Sequence, residues 1–309
     1  MRFVWSSPLG ASADDVYAWH ERPGAFERLL PPWTPARTVS TSGGLGPGGR
    51  RLIELKVGPL KLHWDALHTD CTPGRMFQDI QMRGPMAHWT HTHRFVPRNG
   101  SACVLQDEVD CSLPGGWPVD RVFQKSLERA LTRVFRFRHG RTRLDLARHA
   151  GRPPLRVALT GGSGFLGSNL ASFLESGGHS VLRLVRRRCL PSGSAFWDPR
   201  AGEIDAARLE GLDAVIHLAG ESVAQWWTPS VRREILDSRV RGTALLAGAL
   251  SRLSRPPRTL VSASAIGYYG SDRTELDEDS PAGRGYLARV CAEWEAAARA
   301  AAEAGIRVV

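Results

Sequence analysis

The sequence predicts two domains of different class, an α+β domain with a curved antiparallel sheet and then an α/β domain with a parallel sheet. Three observations lead to this division. Residues 1–147 contain a series of strand-like runs that ends in one long amphipathic helix. From Leu155 onward, short apolar strands alternate with helical patterns, as in parallel sheets. Between them, Arg148–Pro154 ends in two prolines that continue neither a helix nor a sheet. We therefore expect domains at residues 1–150 and 155–309.

The composition is typical of a globular protein without a membrane span. Hydrophobic residues make up 42% of the chain, and no apolar run approaches the roughly 18–20 residues that cross a bilayer. The apolar part of the N-terminus is too short for a secretory signal. The five cysteines are scattered and form no C-x-x-C pair, which favours reduced thiols. We therefore expect a cytoplasmic protein.

The positive charge of the chain raises the question of nucleic-acid binding. The formal net charge is +10, but the basic residues are dispersed and Arg186–Arg188 is the only tight run. Only three of the 41 basic residues are lysine, a bias that reflects genome composition better than a phosphate-tracking surface. We expect no nucleic-acid partner.

The first half begins with a short strand, Arg2–Ser6, and a helix, Ala13–His20, that Ser12 can cap. The glycine-rich segment Ser42–Gly49 is typical of a turn between strands. Apolar residues at helical spacing predict a closing helix over Val119–Arg138. Five more strand-like runs precede this helix: Arg51–Val57, Lys61–Thr69, Met76–Arg83, His88–Pro97 and Ser101–Ser112. A cavity between sheet and helix is the natural ligand site, and a packed core without a ligand is the alternative.

This half resembles the START-like helix-grip (SRPBCC) superfamily, which includes polyketide cyclases and carriers of lipids or other hydrophobic ligands. The resemblance is carried by Ala18–Phe26, Pro31–Trp33 and His88–His93. It implies a cavity for a hydrophobic ligand. A small-molecule cyclase or hydrolase in this half alone is a further hypothesis, with four candidate acid–base groups: Asp65, Asp70, His63 and His68. Alternation of polar residues on an exposed strand face explains these four better.

Three histidines in one predicted strand raise the question of a metal site. On a strand, His91 and His93 share a face and His88 points to the other side. No Asp, Glu or Cys follows nearby at ligand spacing. We therefore expect a hydrogen-bonded structural role and no metal.

The second half opens with a strand, Leu155–Thr160, that runs into a glycine-rich turn and a helix. Gly161 lets the chain turn tightly, Gly164 lets a pyrophosphate approach the backbone, and Gly167 lets the helix pack closely. The helix N-terminus directs free N–H groups at the phosphates. This order predicts a Rossmann-like dinucleotide site. Its expected phosphate-binding residues are Thr160, Gly161, Gly162, Ser163, Gly164, Phe165, Leu166 and Gly167.

The end of the second strand of this half, Ser180–Val185, indicates which dinucleotide binds. An acidic residue here bonds the ribose 2′-hydroxyl of NAD, but the chain continues with Arg186 and Arg187. Guanidinium groups match a phosphate. We therefore expect NADP(H), with both arginines on its 2′-phosphate, and the alternative is an exposed basic loop. After the next strand, the turn residues Leu218, Ala219 and Gly220 leave room for the cofactor.

Several motifs of this half resemble the epimerase family proteins, which are atypical extended short-chain dehydrogenase/reductases (NAD(P)-dependent epimerase/dehydratase-like). The motifs are Thr160–Gly167, Leu218–Ser222, Glu234–Val240 and Val261–Gly270. The resemblance implies an NADP(H)-type cofactor, a small-molecule substrate and a reductase- or epimerase-like activity. Related members continue past the sixth strand, so ending at Val309 predicts a C-terminally incomplete domain. It also leaves apolar surface that a homo-oligomer would cover.

The catalytic residues are the part of the family pattern that this sequence does not fully match. In the wider superfamily a Tyr acts with a Lys four residues later, but Tyr286 is followed by Val290, and residues 151–309 contain no lysine. Ser264, or Ser262, could polarise a carbonyl. Tyr286, Tyr269 or Tyr268 could donate a proton. Packing of these tyrosines in the core or on the ribose is the alternative. The rival function is a protein that binds or senses NADP(H) and a lipid-like ligand without turnover.

Overall fold

The computed structural model describes residues 1–188, 191–270 and 275–309. These residues form two compact units. The first unit comprises Met1–Pro153 and Ser172–Gly178, and the second comprises Pro154–Ala171 and His179–Val309. None of the helices in the described ranges is long and apolar enough to cross a bilayer.

The first unit is built on one antiparallel sheet of seven strands in the order β1-β7-β6-β5-β4-β3-β2. Three helices, α1 (Ala13–Glu21), α2 (Ala25–Leu29) and α3 (Trp117–His149), accompany this sheet. Its strands are β1 (Arg2–Leu9), β2 (Ala36–Ser42), β3 (Arg50–Val57), β4 (Leu60–Thr72), β5 (Met76–Arg83), β6 (His88–Asn99) and β7 (Ala102–Ser112). The predicted antiparallel sheet with a long closing helix is confirmed.

Local signals predicted the start of α1 correctly but missed β2. The Ser12 hydroxyl accepts a hydrogen bond from the backbone N–H of Asp15 at 3.1 Å, as expected of an N-cap. Strand β2 lies at the edge of the sheet, and its second half is exposed on both faces. An edge strand of this kind lacks the apolar alternation by which strands are recognised.

Helix α3 is longer than predicted, because it ends at His149 instead of Arg138. Its buried face continues beyond Phe135 through His139, Thr142 and Asp145, which are polar. A search for apolar residues at helical spacing therefore loses the helix there. The buried Asp145 carboxylate accepts two hydrogen bonds from the Arg28 guanidinium at 2.7 and 2.8 Å, which joins α3 to α2.

The second unit is built on a seven-stranded sheet in the order β11-β10-β9-β8-β12-β13-β14. All neighbours pair in parallel except β11, which is antiparallel to β10. Its strands are β8 (Arg156–Thr160), β9 (Ser180–Val185), β10 (Ser194–Asp198), β11 (Glu203–Ile204), β12 (Ala214–His217), β13 (Thr259–Ser262) and β14 (Arg307–Val308). Numbered within this unit, the parallel strands follow the order 3-2-1-4-5-6 of the Rossmann fold, which confirms the predicted α/β class.

Four helices lie between the strands of this sheet along the chain: α4 (Phe165–Ser176), α5 (Pro229–Leu250), α6 (Tyr286–Ala296) and α7 (Arg299–Glu303). The last two of these helices are separated only by Ala297 and Ala298. The central strands carry a continuous apolar core, with Leu159, Val215 and Leu260 fully buried. The order in which successive strands are added to the sheet reverses between β8 and β12, and at such a switch point open α/β sheets bind their ligands.

Candidate functional site

The glycine-rich turn after β8 lies against the turn after β12. Gly161 has a φ of +70°, and a Cβ on it would lie 2.8 Å from the carbonyl carbon of Leu218. A Cβ on Gly167 would lie 2.2 Å from the carbonyl oxygen of Gly161. Both distances are too short for a side chain, so only glycine lets the two turns and α4 approach this closely.

A buried polar network holds the second of these turns from below. The Thr160 hydroxyl oxygen accepts hydrogen bonds from the backbone N–H groups of Leu218 at 3.1 Å and Ala219 at 3.2 Å. Its proton is therefore directed at Nδ1 of His217, 2.7 Å away. The imidazole then donates from Nε2 to the Thr243 hydroxyl at 3.0 Å. Burial lowers the pKa of His217 to about 4, which keeps this ring neutral.

A cleft of about 990 Å³ opens where the carboxyl ends of β8, β9, β10 and β12 meet. Most of the predicted cofactor-binding residues line it: Gly161, Gly162, Ser163, Gly164, Arg186, Arg187, Leu218, Ala219 and Gly220. Four others lie outside its lining. Thr160 is buried beneath the turn, Gly167 packs on Gly161, and the side chains of Phe165 and Leu166 are 84% and 67% exposed.

The three arginines after β9 differ in their partners. Arg188 makes two hydrogen bonds to the Glu203 carboxylate, at 2.9 and 3.2 Å, and its guanidinium lies 4.8 Å from the Phe196 ring. Arg186 and Arg187 are exposed, and neither forms an ion pair within the part of the chain that the structure describes. Two guanidinium groups at one end of the cleft are therefore free to bind an anion.

The three residues predicted as catalytic lie outside the lining of this cleft. The Ser264 hydroxyl donates to the Glu295 carboxylate at 2.5 Å. The Tyr286 phenol donates to the backbone carbonyl of Arg232. Tyr269 ends a short 3₁₀ helix and contacts the ring of Tyr268 edge-on, with centroids 5.2 Å apart.

Ser264 and Tyr286 are not brought together. Glu295, which binds Ser264, lies nine residues after Tyr286 on α6, or about 13 Å along the helix axis. Burial raises the pKa of Tyr286, against the opposing effect of Arg239, Arg289 and Arg232. By contrast, the buried hydroxyl of Ser262 has no hydrogen-bond partner among the described residues.

The first unit contains a second cavity, of about 330 Å³, between its sheet and α3. Its walls are mostly apolar, and a polar patch on its sheet side includes Asp79, His91 and His93. Of the four acid–base candidates from the sequence, only His68 reaches this cavity. Asp65 is ion-paired with Arg50 at 2.6 Å on the outside of the sheet.

The predicted faces of the three histidines are confirmed, since His91 and His93 are buried and His88 is exposed. The expectation that they lack an acidic neighbour is wrong. Asp79 pairs across the sheet with His91, and Asp107 pairs with His93. Register places these carboxylates on the same face as the histidines, and spacing within one strand cannot show this.

The charges of this buried cluster are strongly coupled. Burial lowers the pKa of His93 to about 4 and that of the neighbouring His20 to about 3. Burial acts on His91 in the same direction, but its contacts with Asp107 and Asp79 outweigh burial and raise the pKa of His91 to about 9. The imidazolium of His91 therefore offsets one of the two negative charges of Asp79 and Asp107.

Comparison with known proteins identifies the family of each half. Residues 157–309 match the NAD dependent epimerase/dehydratase family. The second unit is an epimerase-family domain. Residues 9–135 match the family described as polyketide cyclase / dehydrase and lipid transport, so the first unit contains a cyclase-family domain. Both agree with the resemblances in the sequence.

The relatives of the epimerase-family domain are themselves named only by family. The Epimerase family protein Mb2239 of Mycobacterium bovis is 41% identical over 155 residues, which cover 50% of this chain and 51% of the relative. The human Epimerase family protein SDR39U1 is 36% identical over 160 residues, which cover 50% of this chain and 53% of the relative. This chain thus matches about half the length of these curated relatives.

A solved structure is similar to this chain over almost its whole length. It is described as the nucleoside-diphosphate sugar epimerase from Corynebacterium glutamicum, with a TM-score of 0.83 and 33% sequence identity. The similarity covers 99% of this chain and 64% of that one.

Two residues of α5 hold the backbone beside the cleft of the epimerase-family domain, and neither was predicted individually from the sequence. The Ser238 hydroxyl accepts a hydrogen bond from the backbone N–H of Glu221 at 3.0 Å. The Arg239 guanidinium donates to the backbone carbonyl of Glu221 at 2.9 Å and lies 5.0 Å from the Trp294 ring centroid. Both belong to the quoted motif Glu234–Val240, which could have revealed them.

Proposed function

We propose that this protein binds NADP(H) in the 990 Å³ cleft and acts as a reductase- or epimerase-like enzyme on a small molecule. The observation that carries the proposal is the combination in one cleft of a glycine-rich turn and two arginines that form no ion pair with any residue the structure describes. The functional domains are residues 1–150, which bind a hydrophobic ligand, and residues 155–309, which bind the nucleotide.

The fit of the glycine turn supports a pyrophosphate there. A Cβ on Gly164 would meet only the carbonyl oxygen of Gly161, at 3.3 Å, so the rest of its surroundings is open. Gly164 immediately precedes α4, whose N-terminal N–H groups favour negative charge. A diphosphate can therefore lie against the backbone at this point.

The arginines support NADP(H) over NAD(H). A 2′-phosphate held by Arg186 and Arg187 gains charge-assisted hydrogen bonds, each about 1.5–3 kcal/mol. Without that phosphate, the two guanidinium groups have no carboxylate partner among the described residues and remain exposed. The dinucleotide supplies or accepts a hydride when it is bound.

The chain must then orient a carbonyl or hydroxyl group and move one proton. We assign orientation to Ser264 and proton transfer to Tyr286 or Tyr269. Ser264 has to leave Glu295, and Tyr286 has to leave the Arg232 carbonyl, before either can act. The unpartnered hydroxyl of Ser262 is a candidate that needs no such change.

The second candidate function is binding or sensing of NADP(H) and a lipid-like ligand without turnover. It is favoured by the absence of lysine from residues 151–309 and by the occupied hydroxyls of Ser264 and Tyr286. A tuned general acid typically contributes 10²–10⁴-fold, so its loss would leave binding intact and chemistry slow.

We expect a cytoplasmic location, since Cys71, Cys103, Cys111 and Cys291 are free thiols. We also expect no nucleic-acid partner, and propose association into a homo-oligomer through exposed apolar side chains such as Trp226 and Ile266.

Calorimetric titration of NADPH and NADH tests the cofactor assignment. Removing Arg186 and Arg187 together, as R186A/R187A, should weaken NADPH binding at least tenfold and leave NADH unchanged. Arg188→Ala is the matched control, because that guanidinium is held by Glu203. Tighter binding of NADH than of NADPH by the wild type refutes the assignment. Absorbance of NADPH with a panel of carbonyl compounds then separates a reductase from a protein that only binds the cofactor, because only the reductase consumes NADPH.

A further inference from the structure

The cavity of the cyclase-family domain has a cluster of nitrogen and carboxylate ligands on its sheet side. We propose that Asp79, His91 and His93 bind one divalent transition-metal ion with an open coordination position toward the cavity. The proposal concerns the first unit and is independent of the function proposed for the second.

The three side chains converge closely enough for small side-chain movements to bring their ligand atoms onto one ion. Each offers one ligand atom, and these atoms all lie within 4.8 Å of one another. Nδ1 of His91 lies 3.5 Å from a carboxylate oxygen of Asp79, longer than an ordinary hydrogen bond. An ion bound to both at about 2.1 Å in tetrahedral geometry separates them by about 3.4 Å.

The ring nitrogen of His91 that faces away from Asp79 binds a carboxylate, as the second nitrogen of metal-binding histidines usually does. Nε2 donates to the Asp107 carboxylate at 3.0 Å, which leaves the Nδ1 lone pair on the side of Asp79. Asp107 is buried and also accepts a hydrogen bond from Nε2 of His139 on α3. Carboxylates in this position orient the ring and increase its basicity as a ligand.

A second observation is the buried imidazole of His93. This residue is only 7% exposed, and its Nδ1 makes no hydrogen bond with the described residues. The atom lies 2.6 Å from the nearest Asp107 oxygen, but without the angles of a hydrogen bond. A bound ion would satisfy this ring nitrogen more completely than an ion-pair contact with Asp107 that lacks hydrogen-bond geometry.

The three ligands indicate which metal ion binds, and the lining of the cavity indicates which class of molecule reaches that ion. Two imidazoles with one carboxylate suit Zn²⁺, Fe²⁺ or Co²⁺ better than Mg²⁺ or Ca²⁺. Three protein ligands leave a position open, as in catalytic sites. Trp89, Leu131 and Val134 line the same cavity, so the open position faces an apolar molecule that carries an oxygen or nitrogen donor.

Titration of the untagged, chelator-treated full chain with Co²⁺ tests the site. We expect one equivalent to bind, with visible absorption bands that Zn²⁺ removes by displacement. Asp79→Asn and His91→Ala should weaken Co²⁺ binding at least tenfold, and Asp107→Asn by about 10–100-fold. His88→Ala is the control, because His88 belongs to the same strand but is exposed.

Two results overturn the proposal: no Co²⁺ bands in the wild type, or bands unchanged in both ligand variants. X-ray absorption of the Zn²⁺-loaded wild type needs no variant and should show two imidazoles, and any other number also contradicts the site. NADPH affinity of the same samples reports on the second unit, so failure of this site is distinguishable from failure of the proposed function.

Discussion

The hydroxyl of Thr160, at the end of β8, donates a hydrogen bond to Nδ1 of His217, at the end of β12, over 2.7 Å. This bond joins the two strands at the switch point of the sheet. It also fixes the turn at Leu218 and Ala219, whose N–H groups bind the same oxygen. The cleft above therefore rests on a neutral imidazole.

The first prediction concerns the pH dependence of stability. His217 has a folded pKa of about 4, below its ordinary value of 6.5, so the unfolded chain binds the proton more readily. The neutral ring of His217 therefore contributes about 3 kcal/mol to the free energy of unfolding. This contribution is fully present above pH 6.5 and is lost as the pH falls through 4. Urea unfolding of the wild type and His217→Gln should show a stability difference that narrows over this range. A constant difference contradicts a neutral His217.

The second prediction compares two glycines. Gly167→Ala places a Cβ 2.2 Å from a backbone oxygen and should destabilise the protein by about 1–3 kcal/mol. Gly140→Ala, in α3, meets nothing within 4 Å and should stabilise it by about 0.5–1 kcal/mol. Thermal unfolding measures both. Equal effects of the two substitutions would show that close packing of α4 on the turn is unimportant.

The third prediction compares two ion pairs. Asp145→Asn breaks a buried bidentate pair with Arg28 and should cost about 3–5 kcal/mol, because a guanidinium is left without its counter-charge. Glu203→Gln breaks the exposed pair with Arg188 and should cost less than about 1 kcal/mol. Chemical denaturation monitored by circular dichroism gives both values. A loss below 1 kcal/mol at Asp145 contradicts the role given to the C-terminal half of α3.

Features encoded by local sequence could be predicted. The Ser12 cap, the strand-to-helix turn at Gly161–Gly167 and the strand Ser180–Val185 each depend on a few adjacent residues. Both sheets followed from such segments, because apolar alternation and strand–helix order constrain topology.

Features that depend on register or on buried polar residues could not be predicted. Asp79 and Asp107 reach the histidines only because three strands pair in one particular alignment. The same limit hid the partnership of Thr160 with His217, which lie 57 residues apart. The hydrogen bond of Ser264 to Glu295, which places Ser264 at the far end of α6 from Tyr286, likewise depends on the fold.

The fourth prediction concerns Gly164, on which the nucleotide site depends most directly. Gly164→Val introduces a branched side chain where the proposed diphosphate lies against backbone, while the protein itself offers only one atom, 3.3 Å away, to a Cβ. The fold should therefore survive while the cofactor is excluded.

Calorimetric titration of NADPH into wild type and Gly164→Val is the decisive measurement, with Gly140→Ala as a control outside the cleft. We expect Gly164→Val, and not the control, to lose at least tenfold in NADPH affinity, which is about 1.4 kcal/mol or more of binding free energy. Its circular dichroism spectrum should be unchanged. Wild-type affinity in a folded Gly164→Val protein contradicts the assignment of this turn as the diphosphate site.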